Sequence, residues 1–222
     1  MPAEMHNPAR PGASGFVLAG GRSTRMGRDK ALLDFGGQLL IARAVGLLRE
    51  AGLDTSISGE RPDLAEFAPV VVDRVSQQGP LGGVCAALES MPGEWGVFLT
   101  VDVPLLPASL LRYMVERARA TGAAVTLVSV GGDAETFPAV VSRAALPSLR
   151  EQLESGRLKC FSAFRSAAEA LGQTMDVVAV EALVEAGLVT HPGALGPADW
   201  FLNVNTPEEF ARAEALASGG VS

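Results

Sequence analysis

The sequence predicts an α/β domain built on a doubly wound, mostly parallel sheet. Three observations carry this. Short runs such as Phe16–Ala19 and Trp95–Val101 are apolar at nearly every position, the pattern of strands covered on both faces. Between them lie longer stretches with apolar residues at helical spacing, and Gly or Pro separates most segments. Strand and helix alternate as far as Val130, which calls for crossover connections and helices on both sides of the sheet.

Taken in order, the first strand, Phe16–Ala19, runs into Gly20-Gly21. A polar loop follows to Lys30, and then Ala31–Phe35 closed by Gly36-Gly37. Gln38–Glu50 is predicted as a helix, because Leu40, Ile41, Ala44, Val45, Leu47 and Leu48 recur at its period and Gly52 stops it. Ser56–Ser58 and Val70–Val72 read as strands, and Leu81–Ser90 as a helix ended by Met91-Pro92-Gly93. After the Trp95–Val101 strand, Pro107 suits the first turn of a helix to Ala120 with an apolar stripe of Leu110, Leu111, Met114, Val115 and Ala118. Ala123–Val130 is the next strand. Beyond it the pattern is mixed: Phe137–Val141 and Met175–Val180 are strand-like, while Ala144–Glu154 and Phe161–Leu171 are helical. Glu181–Pro197 carries no assignable pattern, and Pro207–Leu216 is the last helix. With no repeats and no linker, the expected organisation is a flexible segment over residues 1–14 and a single domain over 15–217.

The chain has 222 residues, 48% of them apolar and 19% charged, which is ample for a large core. Eighteen basic residues against 25 acidic ones give a net charge of -7, which disfavours nucleic acid and anionic membranes as general partners. Against that background Arg22, Arg25, Arg28 and Lys30 crowd one short stretch and point to a specific small anion. Cys85 and Cys160 lie far apart with no CxxC, and read as core thiols in a reducing compartment. No apolar leader and no run of the ~20 apolar residues needed for a membrane span is present, so a cytoplasmic protein is expected. His6 and His191 are poor catalytic candidates, one near the N-terminus and the other beside Pro192-Gly193.

In an open α/β sheet ligands sit beyond the C-terminal strand ends, and three segments there are chemically loaded. The first runs from Leu18 to Lys30. Its glycines let backbone N–H groups turn toward an anion, and its Arg and Lys supply charge, although it is neither a Walker A loop nor GxGxxG. The second is Val101-Asp102-Val103-Pro104: a carboxylate directly after a buried strand suits Mg²⁺, which takes one or two carboxylates plus substrate phosphates, though a turn or capping role for Asp102 stays open. Asp73 is a weaker candidate of the same kind, and Gln78–Gly83 a second glycine-rich surface. The third is Phe201–Glu209. Thr206, Pro207 and Glu209 form a capping box, which leaves Asn203 and Asn205 unexplained. With no nucleophile–base pair in view, chemistry that needs only positioning and charge neutralisation is favoured, as in phosphoryl and nucleotidyl transfer.

Leu18-Ala19-Gly20-Gly21, Arg25-Met26-Gly27 and Asp29-Lys30 resemble the signature of the MobA-like nucleotidyltransferase family. Gly79–Gly83 and Asp102-Val103-Pro104 follow in the order expected, and Asn203–Glu209 is similar to the segment that closes the family's molybdenum cofactor guanylyltransferases. The resemblance implies a single-domain Rossmann-like fold of the nucleotide-diphospho-sugar transferase kind. It implies transfer of GMP from GTP to molybdopterin bearing molybdenum, with Mg²⁺ as cofactor, and cooperation with other cofactor-assembly proteins. Carried over by position, Leu18, Ala19, Gly20, Gly21 and Asp73 would contact GTP, Lys30 its phosphates and Asp102 the metal, with Arg25 as a further catalytic candidate. Asn203 and Asn205 would lie on the pterin side. Gly20, where sister cytidylyltransferases usually have Ala, favours guanine. One departure stands out: Ser58-Gly59-Glu60-Arg61 occupies the place where the family often has a nucleotide-contacting asparagine, so either Glu60 accepts from the guanine edge or that contact is lost. The rival readings are a cytidylyl- or sugar-phosphate nucleotidyltransferase, or a non-catalytic nucleotide-binding module.

Overall fold

The computed structural model describes residues 12–20, 29–72 and 79–219. The sequence-predicted residues Gly21, Arg22, Arg25, Arg28 and Asp73 lie outside them, as does the segment 1–11. The chain forms β1 (Ala13–Leu18), a small hairpin of β2 (Asp34–Phe35) and β3 (Gln38–Leu39), α1 (Leu40–Glu50), β4 (Asp54–Ser58), β5 (Val70–Val71), α2 (Gly79–Ser90), β6 (Trp95–Thr100) and α3 (Ala108–Thr121). There follow β7 (Val125–Val130), β8 (Asp133–Ser142), α4 (Leu146–Glu154), α5 (Cys160–Ala170), β9 (Asp176–Ala179), α6 (Val180–Glu185), α7 (Pro197–Trp200) and α8 (Pro207–Ala217). β1 starts two residues before the boundary expected at residue 15.

Seven strands form one sheet in the order β5-β4-β1-β6-β8-β7-β9. β5, β4, β1 and β6 are parallel, while β8 runs antiparallel to both β6 and β7. Side chains alternate between the faces as a period of two demands. Val17, Ile57, Val97 and Leu99 pack under α1 and α3, whereas Phe16, Leu18 and Phe98 pack under α2, α4 and α5. A third cluster joins Phe35 and Leu40 to Leu105, Val204 and Ala213, and seats the C-terminal helix on the first crossover.

Three local differences from the sequence reading have clear causes. Gln38 and Leu39 belong to a hairpin strand and the helix begins at Leu40, because the positive-φ pair Gly36-Gly37 turns the chain back on Asp34–Phe35. The strand expected at Phe137–Val141 extends over Asp133–Ser142, since its polar half hydrogen-bonds to β7 alone. Val180, expected to close a strand, instead opens α6 within the segment that carried no pattern. The helix predicted from Pro107 to Ala120 spans Ala108–Thr121 and ends on Gly122, whose φ of +66° is the left-handed cap that glycine supplies freely. Both cysteines are buried, and burial pushes the Cys160 thiol up to about 12.

The strand order places β1 between β4 on one side and β6 on the other. Leu18 is opposite both Ser58 and Thr100, so the loops after β1, β4 and β6 leave the sheet at one edge, where the winding direction reverses.

Candidate functional site

Lys30 lies in a single 3-10 turn, Lys30–Leu32, started by Asp29, whose carboxylate accepts from the Ala31 N–H at 3.1 Å. That turn points a largely buried ammonium, 11% exposed, back across the loops. Lys30 Nζ donates to Asn205 Oδ1 at 2.6 Å and lies 3.7 Å from Asp102 Oδ2. Three residues separated by most of the chain thus meet at the switch point of the sheet.

Asp102 lies just past β6, after Val101, and its backbone carbonyl accepts from Val204 N–H at 2.9 Å. This bond fastens the loop after β6 to the Asn203–Asn205 segment. Among the described residues Lys30 alone approaches the Asp102 carboxylate, which is 26% exposed. Of the alternative roles, capping is excluded because helix α3 starts from Pro107, while Asp102 does lie in the turn that follows β6. A carboxylate with open acceptor capacity suits a cation that brings other ligands with it. Magnesium takes one or two carboxylates together with substrate phosphates, and Asp102 fits that donor set; among the described residues no group of three or more His, Cys, Asp or Glu is placed to hold a metal.

The loop after β4 is pressed against the loop after β1. Ala19 N–H donates to Ser58 O at 3.1 Å, and a Cβ on Gly59 would sit 2.9 Å from the Gly20 nitrogen. With φ at +142° as well, Gly59 occupies a place only glycine fills without strain. On the other side Ser58 Oγ donates to Gly83 O at 2.8 Å, drawing in the glycine-rich start of α2. Leu18 and Ala19 are buried, and Gly20 is exposed at the mouth. Glu60, next to Gly59, is exposed, so its carboxylate is available beside the Gly20 turn. Asn203 is exposed and its amide donates to Phe201 O at 3.3 Å, so the two asparagines differ in role: Asn205 bonds Lys30 and Asn203 its own turn. The capping box is present, with Glu209 accepting from both Asn205 and Thr206 N–H at 2.9 Å.

Arg61 had no role assigned in the sequence. Its side chain, 4% exposed, pairs with Asp29 Oδ2 at 2.6 Å and with Asp63 Oδ2 at 2.7 Å. The hydrogen bonds it donates to Asp63 and the charge of Asp29 raise its pKa against the effect of burial. Arg61 therefore ties the loop after β4 to the residue preceding Lys30. The Asp two places after it was the sole local signal, and the pairing to Asp29 spans 32 residues.

A family model described as a MobA-like NTP transferase domain matches residues 15–172. A molybdenum cofactor guanylyltransferase from Rhizobium meliloti is 32% identical over 90% of this chain and 89% of its own. One from Photobacterium profundum is 30% identical over 91% and 96% respectively. Among solved structures, the molybdopterin-guanine dinucleotide biosynthesis protein A of Archaeoglobus fulgidus superposes with a TM-score of 0.73 at 21% identity, covering 92% of this chain and 98% of that one. The Rv0371c protein of Mycobacterium tuberculosis, in complex with manganese, gives a TM-score of 0.62 at 20% identity, with 91% and 97% covered. No helix among the described residues is long and apolar enough to cross a membrane.

Proposed function

From the premise that this chain belongs to the MobA-like NTP transferase family, we propose that it is a nucleotidyltransferase that moves GMP from GTP to molybdopterin bearing molybdenum. The products are molybdopterin guanine dinucleotide and pyrophosphate. The observation that carries this reading is the meeting of Lys30, Asp102 and Asn205 at the strand ends, where a polyanion needs charge and oriented donors.

A phosphate oxygen of the pterin attacks the α-phosphorus of GTP. The bond from that phosphorus to the bridging oxygen breaks on the opposite side, and pyrophosphate leaves with the electron pair. Negative charge grows on the leaving group, so fixed cations and N–H donors at that position lower the barrier more than they bind the ground state. Lys30 fits the phosphates, held in direction by Asn205. Exposed Gly20 offers its backbone N–H, with Gly21 and Arg25 as further contributors. Leu18 and Ala19 back the nucleotide, Asp73 lies at it, and Glu60 accepts from the guanine edge. Asn203 faces the pterin. Mg²⁺ held by Asp102 would neutralise triphosphate charge and orient it for in-line displacement. Two polyanionic substrates gain most from such neutralisation and positioning, which need no protein nucleophile. We place the reaction in the cytoplasm and expect hand-over to other cofactor-assembly proteins.

The test is pyrophosphate release by the purified chain with molybdenum-loaded molybdopterin and each of GTP, CTP and UTP, with and without Mg²⁺. Release confined to GTP and dependent on Mg²⁺ supports the proposal. Equal or greater release with CTP makes the chain a cytidylyltransferase, and binding of GTP with no release makes it a nucleotide-binding module.

A further inference from the structure

The loop from Val101 to Pro107 leaves β6 and carries Asp102, yet it contains no helix or strand. Its residues Val103, Pro104, Leu105 and Leu106 are all buried. A buried irregular segment must have its carbonyls satisfied by something other than a ladder. Here distant side chains supply the donors. Arg43, on α1, donates through Nε to Pro104 O at 2.5 Å. His191, beyond α6, places Nε2 3.0 Å from Leu105 O. The Asp102 carbonyl is taken by Val204 N–H at 2.9 Å.

Both side chains are themselves held. The Arg43 guanidinium lies over the Phe35 ring, 5.2 Å from its centroid, and Phe35 is 1% exposed. His191 Nδ1 accepts from Gly193 N–H at 3.0 Å, which leaves Nε2 to carry the proton and donate to Leu105. Its ring stacks on the buried Trp200 at 5.9 Å. Arg43 is half-buried; among the described residues no ion pair joins it to a carboxylate, and its Nε hydrogen bond goes to the loop. A cleft of about 420 Å³ runs along the outer side of this brace, lined by Arg43, His191, Val101 and Val103. Val103, Leu105 and Leu106 pack into the core clusters, so packing holds the side chains of the loop while Arg43 and His191 hold its carbonyls.

We propose that Arg43 and His191 are positioning residues for the metal-binding carboxylate: they hold two adjacent carbonyls of the loop and so fix the direction in which Asp102 leaves β6. This rests on the assignment of Asp102 to the metal made above. Neither residue needs to reach substrate. Each acts through the backbone, and a shift of about 1 Å at a catalytic group is enough to cost on the order of a hundredfold in rate.

The test compares the unmodified chain with Arg43→Met, which keeps an apolar stem over Phe35, and His191→Phe, which keeps a ring on Trp200. Arg43→Lys and His191→Gln restore one donor each. The readouts are kcat and KM for GTP, and the affinity for Mn²⁺ in the presence of α,β-methylene-GTP, followed by the electron paramagnetic resonance of free Mn²⁺ below each variant's melting transition. Arg43→Met and His191→Phe are expected to lower kcat by about 10- to 100-fold and weaken Mn²⁺ several-fold, with KM for GTP within about twofold and partial recovery in the donor-restoring pair. A purely structural role would reduce the fraction of active protein and leave Mn²⁺ affinity as it was, and that result overturns the proposal. Asp102→Ala separates the two levels. If it keeps full Mn²⁺ affinity, the metal assignment is wrong. If it loses that affinity while the Arg43 and His191 variants do not, only the positioning role is wrong. Should Arg43→Met fail to fold, His191→Phe alone decides between the same two outcomes.

Discussion

Lys30 Nζ and Asn205 Oδ1 are 2.6 Å apart across 175 residues of sequence, so the first crossover and the last helix are joined by one charge-assisted hydrogen bond at the site. Bonds to charged groups contribute about 1.5–3 kcal/mol, so Asn205→Ala is expected to lower kcat/KM for GTP by roughly 10- to 150-fold. Lys30→Ala should lose more, because it removes the charge itself. Since the asparagine acts through the lysine, the double variant should be scarcely worse than Lys30→Ala alone. Steady-state kinetics on the four forms checks this, and losses that multiply would mean the two residues act separately.

Asp102→Asn keeps the size of the side chain and removes its charge. Turnover is expected to fall by at least about a hundredfold, the scale on which single preorganised electrostatic contacts matter. The Lys30 ammonium 3.7 Å away would remain, so GTP binding should survive better than turnover. Near-normal Mg²⁺-dependent pyrophosphate release by this variant would remove Asp102 from the mechanism.

Glu60 is exposed beside Gly59, whose backbone abuts Gly20. A carboxylate there matches the N–H donors of the guanine edge, and inosine lacks the 2-amino group. Glu60→Ala is therefore expected to erase most of the preference for GTP over ITP, a change of roughly 10- to 100-fold in relative kcat/KM. Unaltered discrimination would assign guanine recognition to other groups.

The two charged groups that the structure brings within 3.7 Å of each other were legible in the sequence, and what holds them was not. Lys30 and Asp102 were legible because their chemistry is local: a cation after a glycine turn, a carboxylate after an apolar strand. The alternation of strand and helix likewise anticipated the parallel half of the sheet. The contacts of Arg61, Arg43 and His191 were not legible because their partners are Asp29 and the carbonyls of Pro104 and Leu105. A backbone carbonyl has no sequence identity, so no spacing rule reports that it lacks a donor. The β2–β3 hairpin was hidden for a different reason: Gln38 and Leu39 precede a strong helical repeat and are absorbed into it on periodicity alone.

Arg61→Met removes a buried cation and leaves Asp29 without its ion-pair partner. Asp63 is 46% exposed and regains water, so the loss should fall below that of a wholly buried pair, at about 1–3 kcal/mol. For a domain of this size that corresponds to a melting temperature lower by roughly 2–12 °C, measurable by differential scanning calorimetry. Saturating GTP should recover part of it, because a ligand that binds only the folded chain stabilises it.

His191 gives acid sensitivity a definite sign. Burial, with the charge of Arg43 added, lowers its pKa below the ordinary histidine value, while the hydrogen bond to Leu105 O acts the other way. The unfolded chain takes up the proton first as pH falls through about 6.5, and the folded chain resists until its own lower pKa is reached. The stability due to the neutral ring is therefore fully present above about pH 6.5 and declines below it. Protonation would also place a hydrogen on Nδ1, where Gly193 N–H already donates. Urea unfolding at pH 7.5 and 5.5 should show the unmodified chain losing more stability than His191→Phe, by at most about 1.4 kcal/mol per pH unit. Carboxylates shared by the two forms, Glu135 among them with its pKa raised by burial, cancel in that difference. Equal pH slopes in the two proteins would show that the ring titrates alike folded and unfolded, and hence that burial and the bond from Gly193 N–H do not fix its neutral form.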